Sequence, residues 1–234
     1  MGLSIPLRRS DWGYRWYIIE KPMSLLSVVW RILSDILVPP RKTERIVRTL
    51  IFETLLSTRK THMVGETEAL LSYEDPKVQA LIWELKYYGS AKSADLLGRL
   101  LAEELPALVS ESLSKKPLLI PIPLHPNRIK VRGYNQMTRV TEVAAKIAEG
   151  TIEHAPDALE RIKDTPRQTA LSRTKRLENV VGAFKTKNPT AVKGRVCIVV
   201  DDVATTGSTL LSAGSALKKS GASSVILLAL ASAR

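Results

Sequence analysis

Along the first half of the chain apolar residues recur at helical spacing, whereas the second half carries three continuous apolar runs. Residues 22–38 place Leu26, Val29, Trp30, Leu33 and Leu37 on one helical stripe, which Pro39 and Pro40 stop. Residues 43–56 repeat the pattern with Ile46, Val47, Leu50, Ile51 and Leu55 and predict a second helix. A linker or turn is expected at 58–66 and a short strand at 70–73. Asp75-Pro76 opens a further helix, since proline suits a first turn, with Val78, Leu81, Ile82 and Leu85 inward and Gly89 closing it. Leu97, Leu100, Leu101, Leu105 and Leu108 predict another helix over 94–109. The continuous runs lie at 117–124, 196–200 and 224–230 and read as strands buried on both faces. Pro121 and Pro123 confine the first strand to 118–120 and predict a loop of unusual backbone geometry after it, before a helix over 138–148. Strands alternating with helices make the fold class α/β, a parallel sheet flanked by helices. Segment 1–21 is basic and aromatic and has no continuous period.

The 234 residues are enough for a full core, one domain with an appendage. With 44% hydrophobic and 25% charged residues the chain is globular, which excludes a disordered one. The single cysteine, Cys197, falls in a buried run. It excludes a disulfide framework and a cysteine zinc site within one chain, and makes a reducing cytoplasm the expected compartment. The net charge of +12 suits phosphorylated substrates and nucleic acid alike and does not choose between them. Segment 22–38 is too short, and with Arg31 and Asp35 too charged, to be a transmembrane segment, and no small-residue cleavage site follows it.

Residues 196–210 carry the most chemistry. The run Val196, Cys197, Ile198, Val199, Val200 ends at two adjacent carboxylates, Asp201 and Asp202. Ala204, Thr205, Thr206, Gly207, Ser208 and Thr209 follow, and then Leu210, Leu211, Ala213 and Leu217 at helical spacing. In open α/β sheets ligands bind beyond the carboxyl ends of strands, and a helix start there offers N–H groups and a positive dipole end to a phosphate. Gly207 allows close backbone approach and the hydroxyls add donors. Carboxylates repel a phosphate, but they accept hydrogen bonds from sugar hydroxyls or sit near a divalent cation. The site therefore favours a sugar on one side and its phosphate on the other. A Walker A loop would need a lysine after Gly207, and a Rossmann fingerprint a G-x-G-x-x-G; neither is present.

This stretch resembles the signature by which type I phosphoribosyltransferases bind 5-phosphoribosyl pyrophosphate (PRPP). A second set of residues narrows the resemblance. Pro121-Ile122-Pro123-Leu124-His125 and Arg132-Gly133-Tyr134-Asn135-Gln136 are similar to two motifs of ComF-like proteins. So are Leu85-Lys86-Tyr87-Tyr88-Gly89 and the spaced set Arg161, Thr165, Gln168, Thr169, Leu171, Arg176, Asn179, Ala183 and Phe184. The resemblance covers roughly residues 70–234. It implies a type I phosphoribosyltransferase fold over 64–234, with a small hood from the middle segment and a basic, helical N-terminal extension over 1–63.

The resemblance further implies a glycosyltransferase of nucleotide metabolism that moves the 5-phosphoribosyl group of PRPP to a nitrogen nucleophile and releases pyrophosphate. Asp201 and Asp202 would hold the ribose hydroxyls as the catalytic pair, and Ala204 to Thr209 the 5′-phosphate. Pro123, Leu124, His125, Arg132 and Lys86 would face the pyrophosphate. Read locally, His125 is a capping or loop-packing residue and Lys86 a side chain snorkelling along its helix. Arg167, Gln168, Thr169 and Arg173 would belong to the hood. Mg²⁺ would come with PRPP, with no direct protein ligand. ComF-like proteins commonly carry a four-cysteine zinc module before this domain; the cysteines are missing here, so two helices over 22–56 and no zinc are expected. The same resemblance implies a rival role: a non-catalytic or DNA-associated protein of natural competence. Its partners would be single-stranded DNA or recombination proteins, with Arg173, Lys175 and Arg176 as the first contact expected. A PRPP-sensing regulator without turnover is a third reading. Neither the acceptor nor the oligomeric state is written in a legible pattern.

Overall fold

A computed structural model describes residues 40–109, 115–164 and 182–233. The helix expected over 22–38 and the hood residues Arg167, Gln168, Thr169 and Arg173 lie outside the described residues. Residues Arg41–Arg234 form one compact unit, which starts ahead of the 63/64 boundary expected from the sequence. The segment expected as one helix over 43–56 is two, α1 (Lys42–Thr49) and α2 (Phe52–Ser57), because Leu50 and Ile51 are extended between them. That break lets Val47, Leu50 and Leu55 all enter the core. The expected linker at 58–66 contains β1 (His62–Val64), which pairs antiparallel with β2 (Thr67–Ser72).

Helices α3 (Pro76–Tyr88) and α4 (Ala91–Leu108) follow. Asp75 caps α3, its carboxylate accepting from the Lys77 N–H at 2.7 Å, and Gly89 ends it in the left-handed region, as expected. Then come β3 (Leu118–Pro121), α5 (Pro126–Arg132), α6 (Gln136–Ile147) and β4 (Glu153–His154). A two-stranded antiparallel ribbon, β5 (Leu159–Arg161) with β6 (Phe184–Thr186), stands apart from the main sheet. The short α7 (Pro189–Val192) leads to β7 (Val196–Ala204), α8 (Ser208–Lys219) and β8 (Ser224–Ser232). The six-stranded sheet has the order β1-β2-β8-β7-β3-β4, parallel throughout except for the β1–β2 hairpin. The chain thus has the expected α/β class of fold, with a mainly parallel sheet between helices. Among the described residues no helix is long and apolar enough to cross a membrane.

Alternation along the central strands divides the core into two layers. Ile198 and Val200 of β7 face α1, α3, α4 and α6, with Leu228 and Leu230 of β8 beside them. Cys197 and Val199 face α8 and the ribbon, with Leu210, Leu217 and Phe184. One charged side chain drawn into the first layer is held by partners from the segment ahead of the hairpin. Glu84 of α3 is buried and accepts from Arg41 Nη2 at 2.8 Å, Arg41 Nε at 3.2 Å and Thr43 Oγ1 at 2.6 Å. Burial presses its pKa upward, and these hydrogen bonds more than reverse it, leaving the carboxyl below its ordinary value. At the crossing of α4 and α6, Gly98 is buried against Val143 and the Val140 carbonyl, closer than any side chain would allow.

Candidate functional site

The sheet order reverses between β3 and β7. After β3 the chain moves outward through α5 and α6 to β4; after β7 it moves the other way through α8 to β8. The loops leaving these neighbouring strands therefore part, and it is at such a reversal, beyond the carboxyl ends of the strands, that open α/β sheets bind ligands. The sequence expected β7 to stop at the acid pair. Instead it runs on to Ala204, paired with β8 through Val203–Ala231 and Ala204–Ser232. Asp201 and Asp202 thus lie within a strand and, by its pleat, point to opposite layers.

Asp202 turns toward α3 and α6 and is buried. Its Oδ1 lies 2.9 Å from Lys86 Nζ, and its Oδ2 accepts from Gln136 Nε2 at 2.8 Å. Gln136 Oε1 in turn accepts from Arg132 Nη1 at 2.6 Å. Burial works against the Lys86 ammonium, but Asp202 and, more weakly, Asp201 outweigh it and hold its pKa above the ordinary lysine value. Lys86, expected to face a pyrophosphate, is therefore paired with an acid. Arg132 is held by a neutral amide, with its guanidinium 5.9 Å from the Tyr87 ring.

Asp201 turns the other way and lines a depression with Val203, Ala204, Thr205, Thr206, Gly207, Ser208, Thr209 and Leu210. Burial of its carboxyl, with Asp202 next to it, pushes its pKa up to about 7, while the Asp202 N–H, which it accepts at 2.8 Å, pulls it down. The loop after it is set by Gly207, whose φ of +72° places it in the left-handed region at the cap of α8. A Cβ there would stand 2.9 Å from Thr67 Oγ1 and 3.0 Å from the Val64 carbonyl, so the loop is pressed onto the β1–β2 hairpin. Thr206 Oγ1 donates to Ser208 Oγ at 2.9 Å and accepts from the Ser208 N–H at 3.4 Å, so this hydroxyl shapes the turn.

On the β3 side, the loop expected to have unusual backbone geometry is ordinary. Among the described residues there is no cis peptide and no non-glycine residue with positive φ. Pro123 is half-buried and Leu124 buried. His125 is the cap of α5, its Nδ1 accepting from the Asn127 N–H at 3.3 Å. Asn135 Nδ2 donates to the Ile122 carbonyl at 2.9 Å and so ties this loop to the start of α6.

A model of the Phosphoribosyl transferase domain matches residues 138–234. The DNA utilization protein YhgH of Escherichia coli is 32% identical over 151 residues, 64% of this chain and 65% of that one. The protein of that name in Salmonella typhimurium is 31% identical over 161 residues, covering 68% of this chain and 69% of the relative. Competence protein F of Haemophilus influenzae is 35% identical over 118 residues, 49% of this chain and 50% of that one. The chain belongs to the ComF family of phosphoribosyltransferase-fold proteins. Against the Escherichia coli relative the ComF-family match spans 65% of its length. Among solved structures, the B. subtilis glutamine PRPP amidotransferase complexed with ADP and GMP aligns with a TM-score of 0.40 at 17% identity, over 64% of this chain and 30% of that one. An HPRT with glutamic acid in place of an invariant aspartic acid aligns with a TM-score of 0.34 at 8% identity, over 76% and 74%.

In this ComF-family chain three further residues join the site that residue-type reasoning had not placed there. Gln136 bridges Arg132 and Asp202, as above. Arg161 of β5 is buried on the Asp201 side; burial and Arg128 lower its pKa, while Asp201 and Asp164 pull it back up. Asp164 accepts from Asn127 Nδ2 at 2.9 Å, and that bond, with His125, Arg128 and Arg161 nearby, holds its carboxyl below the ordinary range. Gln136 and Arg161 both stood in the ComF-like motifs of the sequence, and that was their signal. Asp164 carried none.

Proposed function

We propose that this chain binds PRPP at the β3/β7 reversal and transfers its 5-phosphoribosyl group to a nitrogen nucleophile. The observation that carries the reading is the depression at the end of β7, in which Asp201 and a hydroxyl-lined turn stand together, with Arg132 connected through Gln136 to the adjacent Asp202. Asp201 is the acceptor for the ribose diol, and Asp202, on the opposite face of β7, holds Lys86 and Gln136 behind it. The turn from Ala204 to Thr209 takes the 5′-phosphate; a helix dipole alone supplies only about 0.3–1 kcal/mol, so the turn's N–H and O–H donors supply most of the affinity. The acceptor nitrogen bonds to C1′ as the C1′–oxygen bond to pyrophosphate breaks, and the electron pair leaves with the pyrophosphate. Arg132, with Pro123, Leu124 and His125 forming the wall, faces the charge that then grows. Fixing the ribose at both ends orients C1′ for this displacement.

Among the described residues no cluster of three or more His, Cys, Asp or Glu side chains could hold a metal ion. One pocket-facing carboxylate, Asp201, with phosphate and ribose oxygens suits Mg²⁺, which keeps several waters and leans on substrate phosphates. Bound through PRPP, Mg²⁺ would supply positive charge beside the leaving pyrophosphate.

Calorimetry with PRPP and Mg²⁺, followed by a pyrophosphate-release assay across nitrogenous acceptors, tests the reading. Binding that Asp201→Asn and Thr206→Val each weaken supports it, and no wild-type binding removes it.

A second reading is favoured by one surface. Trp83, Tyr87 and Tyr88 of α3 are exposed, with the rings of Trp83 and Tyr87 4.3 Å apart. Arg41 lies over Tyr88 at 3.4 Å and Arg139 over Tyr134 at 4.4 Å. Exposed rings interleaved with arginines suit single-stranded nucleic acid, in keeping with relatives named for DNA utilization. Loss of DNA binding in Trp83→Ala with Tyr87→Ala, and a steep salt dependence in the wild type, would favour it.

A further inference from the structure

Between Arg132 and Asp202 stands one side chain. Gln136 is 4% exposed, and its two amide atoms are spent on opposite charges: the NH₂ donates to Asp202 at 2.8 Å and the oxygen accepts from Arg132 at 2.6 Å. The partners fix the amide's orientation, since only the oxygen can accept from a guanidinium and only the nitrogen can donate to a carboxylate. Its backbone is pinned as well. Asn135 caps α6 by accepting from the Met137 N–H at 3.0 Å and donates to the Ile122 carbonyl. Tyr134 Oη donates to the Leu85 carbonyl at 2.9 Å, which ties the approach to α6 to the turn of α3 that bears Lys86.

We propose that Gln136 is a positioning residue that keeps Arg132 and Asp202 apart, so that the guanidinium stays available to a pyrophosphoryl group. The proposal rests on the PRPP reading above. Asp202 and Lys86 already form a neutral pair. An arginine collapsing onto Asp202 would join that pair, compete with Lys86 and turn its donors inward. A neutral amide between them satisfies both without spending the positive charge. No other side chain of this size does both: leucine offers neither bond, and glutamate sets a second acid against Asp202.

The test uses the full chain in four forms: wild type, Gln136→Leu, Gln136→Glu, and Gln136→Leu with Asp202→Asn. Calorimetry with inorganic pyrophosphate and separately with ribose 5-phosphate, each with Mg²⁺, gives the ligand readout. Gln136→Leu should lose about tenfold in pyrophosphate affinity, the scale of one charge-assisted contact, and stay within about twofold for ribose 5-phosphate. Gln136→Glu, which keeps the acceptor for Arg132 but adds a charge, should lose pyrophosphate affinity more at pH 8 than at pH 5. Adding Asp202→Asn to Gln136→Leu removes the acid that captures Arg132 and should restore pyrophosphate binding, which a merely structural loss would not do. Side-chain NMR of Arg132 gives a readout that needs no ligand: its guanidinium resonances should shift in Gln136→Leu and return in the double variant. Unshifted resonances, or a double variant weaker than Gln136→Leu, overturn the proposal. A wild type that binds neither ligand, with the resonances behaving as expected, would overturn the PRPP reading and leave the separation of Arg132 from Asp202 standing.

Discussion

Asp201 and Asp202 are consecutive, yet Asp202 lies 2.9 Å from Lys86 while Asp201 faces the depression beside α8. The pleat of β7 sends them to opposite layers of the protein. The two carboxylates therefore carry different loads. Asp202 is bonded to α3 and α6 through Lys86 and Gln136, while Asp201 lines the depression beside α8. Their chemistry separates accordingly.

For Asp201 the consequence is a pH dependence. Its carboxyl is pushed up to about 7 in the folded chain, against about 3.9 when unfolded. The folded state then holds this proton more tightly, so stability falls as pH rises from about 4 to about 7 and is level beyond. Asp201→Asn removes the titration and keeps an oxygen for the Asp202 N–H. Thermal scans at constant ionic strength should show the variant melting above the wild type at pH 8, with the gap closing toward pH 5. A gap independent of pH would contradict the assignment.

For Asp202 the consequence is a coupled pair. Lys86→Met leaves a buried carboxylate with the Gln136 amide but without its cation, at a cost of about 3 kcal/mol. Adding Asp202→Asn discharges the site and should recover most of that loss. Urea denaturation of the two single variants and the double variant measures the coupling, and simple additivity would refute it.

Gly207→Ala forces a side chain into the left-handed region and against a backbone carbonyl. The backbone cost alone is about 1–2 kcal/mol, and the Val64 oxygen 3.0 Å away cannot swing aside as a side-chain tip would. Stability in urea should fall by at least that amount, with ribose 5-phosphate affinity falling too because the turn is lifted off the hairpin.

Gly98 sets two effects of opposite sign against each other. Alanine gains about 1 kcal/mol of helix propensity, but its Cβ would stand 2.5 Å from the Val143 Cβ. Overpacking of that kind costs about 1–3 kcal/mol, so Gly98→Ala should destabilise despite the propensity. Val143→Ala in the same chain should not rescue it, because alanine keeps the clashing Cβ and the Val140 carbonyl stands 2.9 Å away; urea midpoints should show Gly98→Ala destabilising in both backgrounds.

The elements carrying a long period or a capping signal were legible: α3 between Asp75-Pro76 and Gly89, the helix after Asn135, and the three buried strands. What escaped depended on partners distant in sequence. Nothing local says that β7 continues past two carboxylates, because Asp202 is held there by Lys86 and Gln136, which come from other helices. Helix α5 could have been anticipated from His125-Pro126 at one end and Gly133 at the other, but Pro121 and Pro123 drew the reading toward a loop. The ribbon of β5 and β6 is too short to show a period, and its strands are separated by residues outside the described set. The glycine-and-hydroxyl turn and the acid pair were legible as residue types. The division of labour between the two acids was not, since it depends on which helix lies over each face.

The clasp of Arg41 and Thr43 on Glu84 bears on where this chain can be cut. Glu84 lies two residues before Lys86 on α3, and both partners that keep its buried charge satisfied come from the segment ahead of the hairpin. A shortened protein beginning at residue 64 would retain every motif of the family and still strand an acid inside the helix that bears Lys86. It would be a damaged domain, and its failure to bind would say nothing about the residues it kept.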